Sequence, residues 1–388
     1  MPVRHVQTPR EISRFQAPAF GEDALASEDL ESRLNAASVE HLAEIFQTPL
    51  TGSYNWDYSV QDNRIQKLYE LGKELNWNAT LDVPWDLTPD WHQRGALSAA
   101  DLAARLEQVR AQSPFNGFEP FERMGDEDKL EFGRHMQAWS LSQFLHGEQG
   151  ALLVASQLVS CAPSFNAKLY AASQTFDEAR HVEAFNTYIQ RKVGFMYPVS
   201  RSLKALLDKI LTDPRWDLKF IGMQIIIEGL ALAAFNVIKA STPDPVLRQL
   251  VHLVIRDEAR HVTFGVNYLE EWVKQLTDEE REERAQFAYE ACVVMRERLI
   301  ATDVFRQFDW PVDEAFEVAT GGEERQKFRN LIFTRVVPNL KRIGLLTPGI
   351  RPKFEELGIL SFESLPDDAD TSWEALSAPL YEQEENAA

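Results

Sequence analysis

The string Asp-Glu-Ala-Arg-His occurs twice in this chain, at 177–181 and at 257–261, and no other feature restricts the fold as strongly. Sliding the sequence by 80 residues lays one copy on the other. The same shift lays Glu148-x-x-Ala151-Leu152 on Glu228-x-x-Ala231-Leu232, and Tyr188 on Tyr268. Each copy therefore follows, by 30 residues, a Glu set in an apolar run. Similarity at a fixed offset marks a repeated supersecondary unit. Here the unit is a helical hairpin, and two of them related by a pseudo-twofold make the core.

Apolar spacing supports the hairpins. A first helix runs from Asp128 to about Cys161, with Leu141, Leu145, Glu148, Leu152 and Ala155 on one face. A second runs from about Phe165 to Arg191, closed by Gly194 and Pro198. The third starts near Asp217 and stripes Ile221, Ile225, Glu228, Leu232 and Phe235. The fourth starts near Val246 and groups Val251, Val254, Glu258, His261, Gly265 and Tyr268. Further helices are expected at 278–303 and 322–342. The organisation predicted is an arm (1–53), a Trp-rich helical cover (54–125), a four-helix core (126–277), additional C-terminal helices (278–345) and an acidic, solvated tail (346–388). Trp56, Trp77, Trp85 and Trp91 in the cover read as indoles packed over the core, with a substrate vestibule as the alternative.

Three helical residues turn through about 300°, so Glu178 and His181 leave the same face one turn apart, as do Glu258 and His261. Glu148 and Glu228 lie in apolar stripes that must face the other helices, so the six groups converge. Desolvating four carboxylates costs several kcal/mol per ion, and their repulsion adds to it. Two divalent cations balance four negative charges. An oxygen-rich set with one imidazole per metal suits iron or manganese better than structural zinc. One Glu-x-x-His is weak evidence, because its usual fate is a solvated salt bridge; two in register, each with its own apolar Glu, are specific. Asp177 and Asp257 are expected to accept from the second nitrogens of the ligand imidazoles, with Arg180 and Arg260 neutralising them; a surface ion pair is the alternative. His135, His146 and His252 lie outside the repeat and read as packed or surface residues.

These motifs resemble the ferritin-like di-iron carboxylate superfamily, in its oxidase and oxygenase branch: ribonucleotide reductase small subunits, multicomponent monooxygenase hydroxylases and arylamine N-oxygenases. The likeness spans about 128–275 and rests on Gly147-Glu148-Gln149, Phe176 to His181, Ile227-Glu228-Gly229 and Arg256 to His261. It implies an all-α, ferritin-like four-helix bundle with additional N- and C-terminal helices. It also implies two iron ions (Fe2+/Fe3+, or mixed Mn/Fe) that react with dioxygen to oxidise a small organic substrate. Three markers differ. Phe185 stands where reductase subunits carry a radical Tyr, Leu232 where hydroxylases carry a Thr, and Val254 where arylamine N-oxygenases carry a further His ligand. Phe144, Phe185, Leu232, Phe235 and Val254 are expected to line an apolar cavity beside the metals. Electrons would come from a ferredoxin or flavin reductase, and a homodimer is common among such proteins. Competing roles are a Mn/Fe or di-iron ligand-binding oxidase or radical protein and, outside enzymes, iron storage or an iron carrier.

Composition bounds the partners. With 40 basic against 60 acidic residues the formal charge is −20, a field that repels nucleic acid and anionic membranes. Two cysteines, Cys161 and Cys292, make no disulfide framework and suit a cytoplasmic setting. The longest apolar run, interrupted by Glu228, reads as too short and too charged to cross a bilayer.

Overall fold

The computed structural model describes residues 4–5, 46, 48, 50–60, 62–90, 92–93, 98–296, 300–322, 326, 329–369 and 371–380. The chain is all-α: the strands among these residues are β1 (Arg4–His5) and β2 (Phe195–Met196), two parallel residues each. Helices α1 (Asn63–Glu74) and α2 (Ala99–Gln112) precede the core. The first hairpin is α3 (Asp126–Cys161) with α4 (Phe165–Tyr188). The second is α6 (Trp216–Ser241) with α7 (Pro245–Val273). Between them, α5 (Arg201–Thr212) packs on α3 and on α8 (Asp278–Arg296).

Local chemistry sets the hairpin turns. Pro163 follows the end of α3, and the Ser164 hydroxyl caps α4 by accepting from the Ala167 amide. Asp244 does the same for α7 through the Val246 amide, with Pro245 in the first turn. At its far end α4 widens into a π turn over Ile189–Val193. Gly194, at φ 90°, stops it by donating to the Ile189 carbonyl, a left-handed conformation that favours glycine.

Several expectations are corrected. The 278–303 stretch is two helices, α8 and α9 (Thr302–Gln307), followed by α10 (Val312–Thr320). Within 322–342 the structure describes a 3-10 turn at Leu331–Thr334 and α11 (Val336–Arg342), both packed on the second hairpin. The tail is not wholly solvated: α12 (Arg351–Glu356) and the chain to Ala369 fold back, burying Ile350, Phe354 and Ile359. Asp368 there accepts from Asn339 (2.8 Å) and Arg335 (2.9 Å), so one tail acid is a buried anchor. The reason is that apolar residues spaced through the segment outweigh its average acidity. Helix α6 is also long and apolar enough to cross a bilayer, contrary to the sequence reading, because helix continues through Glu228. Most of it is buried among the other helices, as in a core helix. In the cover, Trp77 and Trp85 are buried while Trp56 is 72% exposed; Trp91 and most of the arm lie outside the described residues.

Candidate metal centre

Four helices each present ligand-type side chains to one point: Glu148 from α3, Glu178 and His181 from α4, Glu228 from α6, Glu258 and His261 from α7. All six are between 0% and 5% exposed. Their donor atoms form two interlocked groups, Glu148–Glu178–His181–Glu258 and Glu178–Glu228–Glu258–His261, with atoms in each within 4.8 Å of one another. Glu178 and Glu258 belong to both groups. Each Glu-x-x-His helix therefore supplies one shared carboxylate and one imidazole, and each partner helix one unshared carboxylate. The 80-residue shift exchanges the two groups, so the repeat in the sequence is the twofold of the centre.

Glu228 is placed by an irregular stretch. Residues Ile221–Ile227 form π turns, and the Glu228 amide donates to the Met223 carbonyl, five residues back. Such wide turns recur at functional sites because they rotate the following face. Continuous α periodicity hides this.

The imidazoles are oriented from behind. His181 Nε2 lies 3.1 Å from Asp257, on the opposite hairpin, and His261 Nε2 lies 3.3 Å from Asp177, again across the bundle. An ionised carboxylate can only accept, so the proton sits on Nε2 and Nδ1 faces the centre. His181 Nδ1 is 3.1 Å from Glu148, 3.3 Å from Glu178 and 3.2 Å from Glu258; His261 Nδ1 is 3.0 Å from Glu178. The two aspartates are themselves held in a square of charges. Arg180 donates to Asp177 (2.6 Å) and Asp257 (2.8 Å), and Arg260 to Asp177 (3.0 Å) and Asp257 (2.7 Å). Trp77 closes it, its indole N–H donating to Asp257 at 2.7 Å. Trp77 is the cover residue that reaches the centre, and nothing in local sequence tied it to Asp257.

The donor set fits a pair of cations. Glu178 Oε2, Glu228 Oε2 and Glu258 Oε2 are buried without a hydrogen-bond partner, an arrangement that native interiors avoid unless another group satisfies it. Electrostatics agree. Burial, with Glu258 beside it, pushes Glu148 up to about 8, and burial with the same neighbouring acids raises Glu228 well above the carboxylate range. Burial also works against Glu178, yet His261 and His181 hold it below that range. Burial opposes charge on both imidazoles, and the surrounding carboxylates reverse this, holding each well above its ordinary value. The acids of the cluster thus favour positive charge beside them.

Of the apolar residues expected beside the centre, Phe144, Phe185 and Phe235 pack on one another, with ring centroids 4.8 Å (Phe144–Phe235), 5.5 Å (Phe185–Phe235) and 6.5 Å (Phe144–Phe185) apart. Leu232 and Val254 are buried. Three of the other histidines, those near the core helices, have partners or burial of their own: His135 contacts the Tyr197 hydroxyl (2.6 Å), His146 the Tyr197 carbonyl (2.9 Å), and His252 is buried and held down to about 4 by burial. Sequence reasoning passed over Gln174, whose amide donates to Glu228 (2.7 Å) and Glu178 (3.2 Å). Its place one turn before Glu178 was the available signal.

Comparison with known proteins gives a family match and distant relatives. The family model described as p-aminobenzoate N-oxygenase AurF matches residues 59–344. The uncharacterized protein MT0908 of Mycobacterium tuberculosis (strain CDC 1551 / Oshkosh) is 23% identical over 313 residues, covering 76% of this chain and 87% of that protein. Among solved structures, a variant of an R2-like ligand-binding oxidase with an aerobically reconstituted Mn/Fe cofactor is 16% identical, covering 74% of this chain and 94% of its own, at a TM-score of 0.48. Dimanganese(II)-NrdF of Streptococcus sanguinis is 14% identical, covering 80% and 99%, at a TM-score of 0.46.

Proposed function

The chain belongs to the p-aminobenzoate N-oxygenase AurF family, and from that premise we propose that it is a dimetal oxidoreductase that uses dioxygen to oxygenate the nitrogen of a small aromatic amine. The observation that carries the reading is the pair of interlocked ligand groups sharing Glu178 and Glu258, buried in a chain of this family. One metal would be held by Glu148 and His181, the other by Glu228 and His261, with Glu178 and Glu258 common to both. Iron is the metal proposed, since this carboxylate-rich set with one imidazole per ion suits it. When bound, the pair supplies redox chemistry with dioxygen.

The protein's own residues do the rest. Asp257 and Asp177 hold the Nε2 protons of His181 and His261, so both Nδ1 lone pairs stay turned inward. Arg180 and Arg260 balance those aspartates, so neither adds net charge to the centre. Burial of all six ligand-type side chains excludes water, and the Phe144, Phe185 and Phe235 rings offer an apolar aromatic flank. The overall reaction balances as one oxygen atom inserted into an N–H bond, the other leaving as water, with two protons and two electrons from a ferredoxin or flavin reductase.

The test is anaerobic loading with Fe2+, counting of iron per chain, and exposure to labelled dioxygen with p-aminobenzoate and a chemical reductant. The expected result is two irons per chain and an arylhydroxylamine carrying labelled oxygen. Two irons with oxygen consumed only into ferric mineral would overturn the enzymatic reading. Labelled product oxidised at carbon would overturn the N-oxygenation.

A further inference from the structure

The twofold of the six ligand-type residues extends to Asp177/Asp257 and Arg180/Arg260 but not to three other neighbouring pairs. Applying the 80-residue shift, Gln174, one turn before Glu178, corresponds to Val254, one turn before Glu258. Gln224, one turn before Glu228, corresponds to Phe144, one turn before Glu148. Gly265 corresponds to Phe185. Each pair sets a polar or minimal residue against an apolar one: Gln174 on the first hairpin, Gln224 and Gly265 on the second. The amides are Gln174 and Gln224, both fully buried. Gly265 makes room for one of them, since a Cβ there would lie 2.5 Å from the Gln224 Cβ. On the other side, the corresponding aromatic side chains, Phe144 and Phe185, pack together with Phe235.

The two amides form a directed chain. Gln174 Nε2 donates to Glu228 Oε1 at 2.7 Å and to Glu178 Oε1 at 3.2 Å. Carboxylates accept, so the Gln174 NH2 must face them and its carbonyl oxygen must point away. That oxygen receives Gln224 Nε2 at 3.4 Å. The order fixes both amide orientations, and it ties Glu228 through Oε1 while Oε2 is left without a hydrogen-bond partner. Glu148, the repeat equivalent of Glu228, meets no such amide among the described residues; its hydrogen-bonding neighbour is His181, at 3.1 Å.

We propose that Gln174, oriented by Gln224, is a positioning residue that presents Glu228 to one metal ion through a single oxygen and so makes the two metal sites unequal in affinity and ligand field. The inference rests on the dimetal reading above and adds the source of the difference between the sites. Partners that orient a metal ligand typically change affinity by about 10- to 100-fold when removed. Only the ion held by Glu228 and His261 should feel the full effect. The other ion meets Gln174 only through the shared Glu178, at the longer contact.

The experiment is anaerobic titration of full-length protein with Mn2+, following free ion by electron paramagnetic resonance, for wild type, Gln174→Met, Gln224→Met and Val254→Ala. Wild type should bind two ions in resolved steps; fewer than two ions would refute the dimetal reading itself, whereas two ions bound in equal steps would overturn the proposal. Gln174→Met keeps volume and loses the donor, so one step should weaken by about 10- to 100-fold while the other holds. Gln224→Met should move the same step less. Val254→Ala, which trims the matching position of the other hairpin, should leave that step in place. In iron-loaded protein, Gln174→Met should shift one Mössbauer doublet and spare the other. Unchanged steps in a folded Gln174→Met, or equal weakening of both, would overturn the proposal. So would an equal effect from Val254→Ala. Should Gln174→Met fail to fold, Gln224→Met decides, since the Gln224 side chain donates to Gln174 and not to a ligand-type residue among the described residues, and an unmoved step there overturns the proposal.

Discussion

Replacing Asp257 by Ala should cost more stability than removing almost any other single side chain. Asp257 accepts from Arg260 (2.7 Å), Arg180 (2.8 Å), Trp77 (2.7 Å) and His181 (3.1 Å), and it is fully buried. Without it, two buried guanidinium groups share one carboxylate, Asp177, while Arg180 keeps Asn76 and Arg260 the Arg256 carbonyl as neutral acceptors. A unit charge pair separated by about 4 Å is worth about 4 kcal/mol at an effective dielectric near 20. Breaking one partner of a buried pair costs about 3–5 kcal/mol, because a charge is stranded. The two figures agree, and we expect a loss of about 3–5 kcal/mol. The assay is denaturant unfolding of metal-free protein followed by circular dichroism, so that metal linkage does not enter. Removing Arg260 as well leaves Arg180 with Asp177, a balanced pair. The double variant Asp257→Ala/Arg260→Ala should therefore lose less than the sum of its singles. A cost below about 1 kcal/mol for Asp257→Ala, against the expected charge penalty, or strict additivity in the double variant, would refute the reasoning.

Two further outcomes are expected. Glu178 lies in both ligand groups and Glu148 in one, so Glu178→Ala should abolish binding of both ions while Glu148→Ala retains one, as read by metal analysis after anaerobic loading. His252, held down to about 4 by burial and then by Lys239 and Arg256, binds its proton more readily unfolded. Stability should therefore fall as pH drops from about 6.5 to about 4, by on the order of 3 kcal/mol in total, and His252→Leu should flatten that slope in unfolding titrations.

Much of the centre was legible before any coordinates, for a specific reason. A helix has a fixed pitch, so Glu-x-x-His puts two groups on one face wherever it occurs. A Glu inside an apolar stripe must point inward with the stripe. The repeat then pairs the hairpins, and Glu148, Glu178, His181, Glu228, Glu258 and His261 follow. Chain punctuation was equally readable at Gly194, which closes the second helix. The packed tail and the unbroken α6 were misjudged because average composition was read in place of the spacing of the apolar residues.

The sequence by itself determined an all-helical chain, its twofold repeat and the identity of the six side chains that converge at the candidate centre, because these depend on helical period and local capping. Tertiary structure alone decided which carboxylates are shared, that His181 is oriented by the Asp of the opposite hairpin, that Trp77 closes the charge square 180 residues from Asp257, and that Gln174 breaks the symmetry at Glu228. Those choices depend on how four helices are rotated against one another, through the π turns at Ile221–Ile227 and the space left at Gly265. A contact between residues far apart in sequence exists only once that rotation is set.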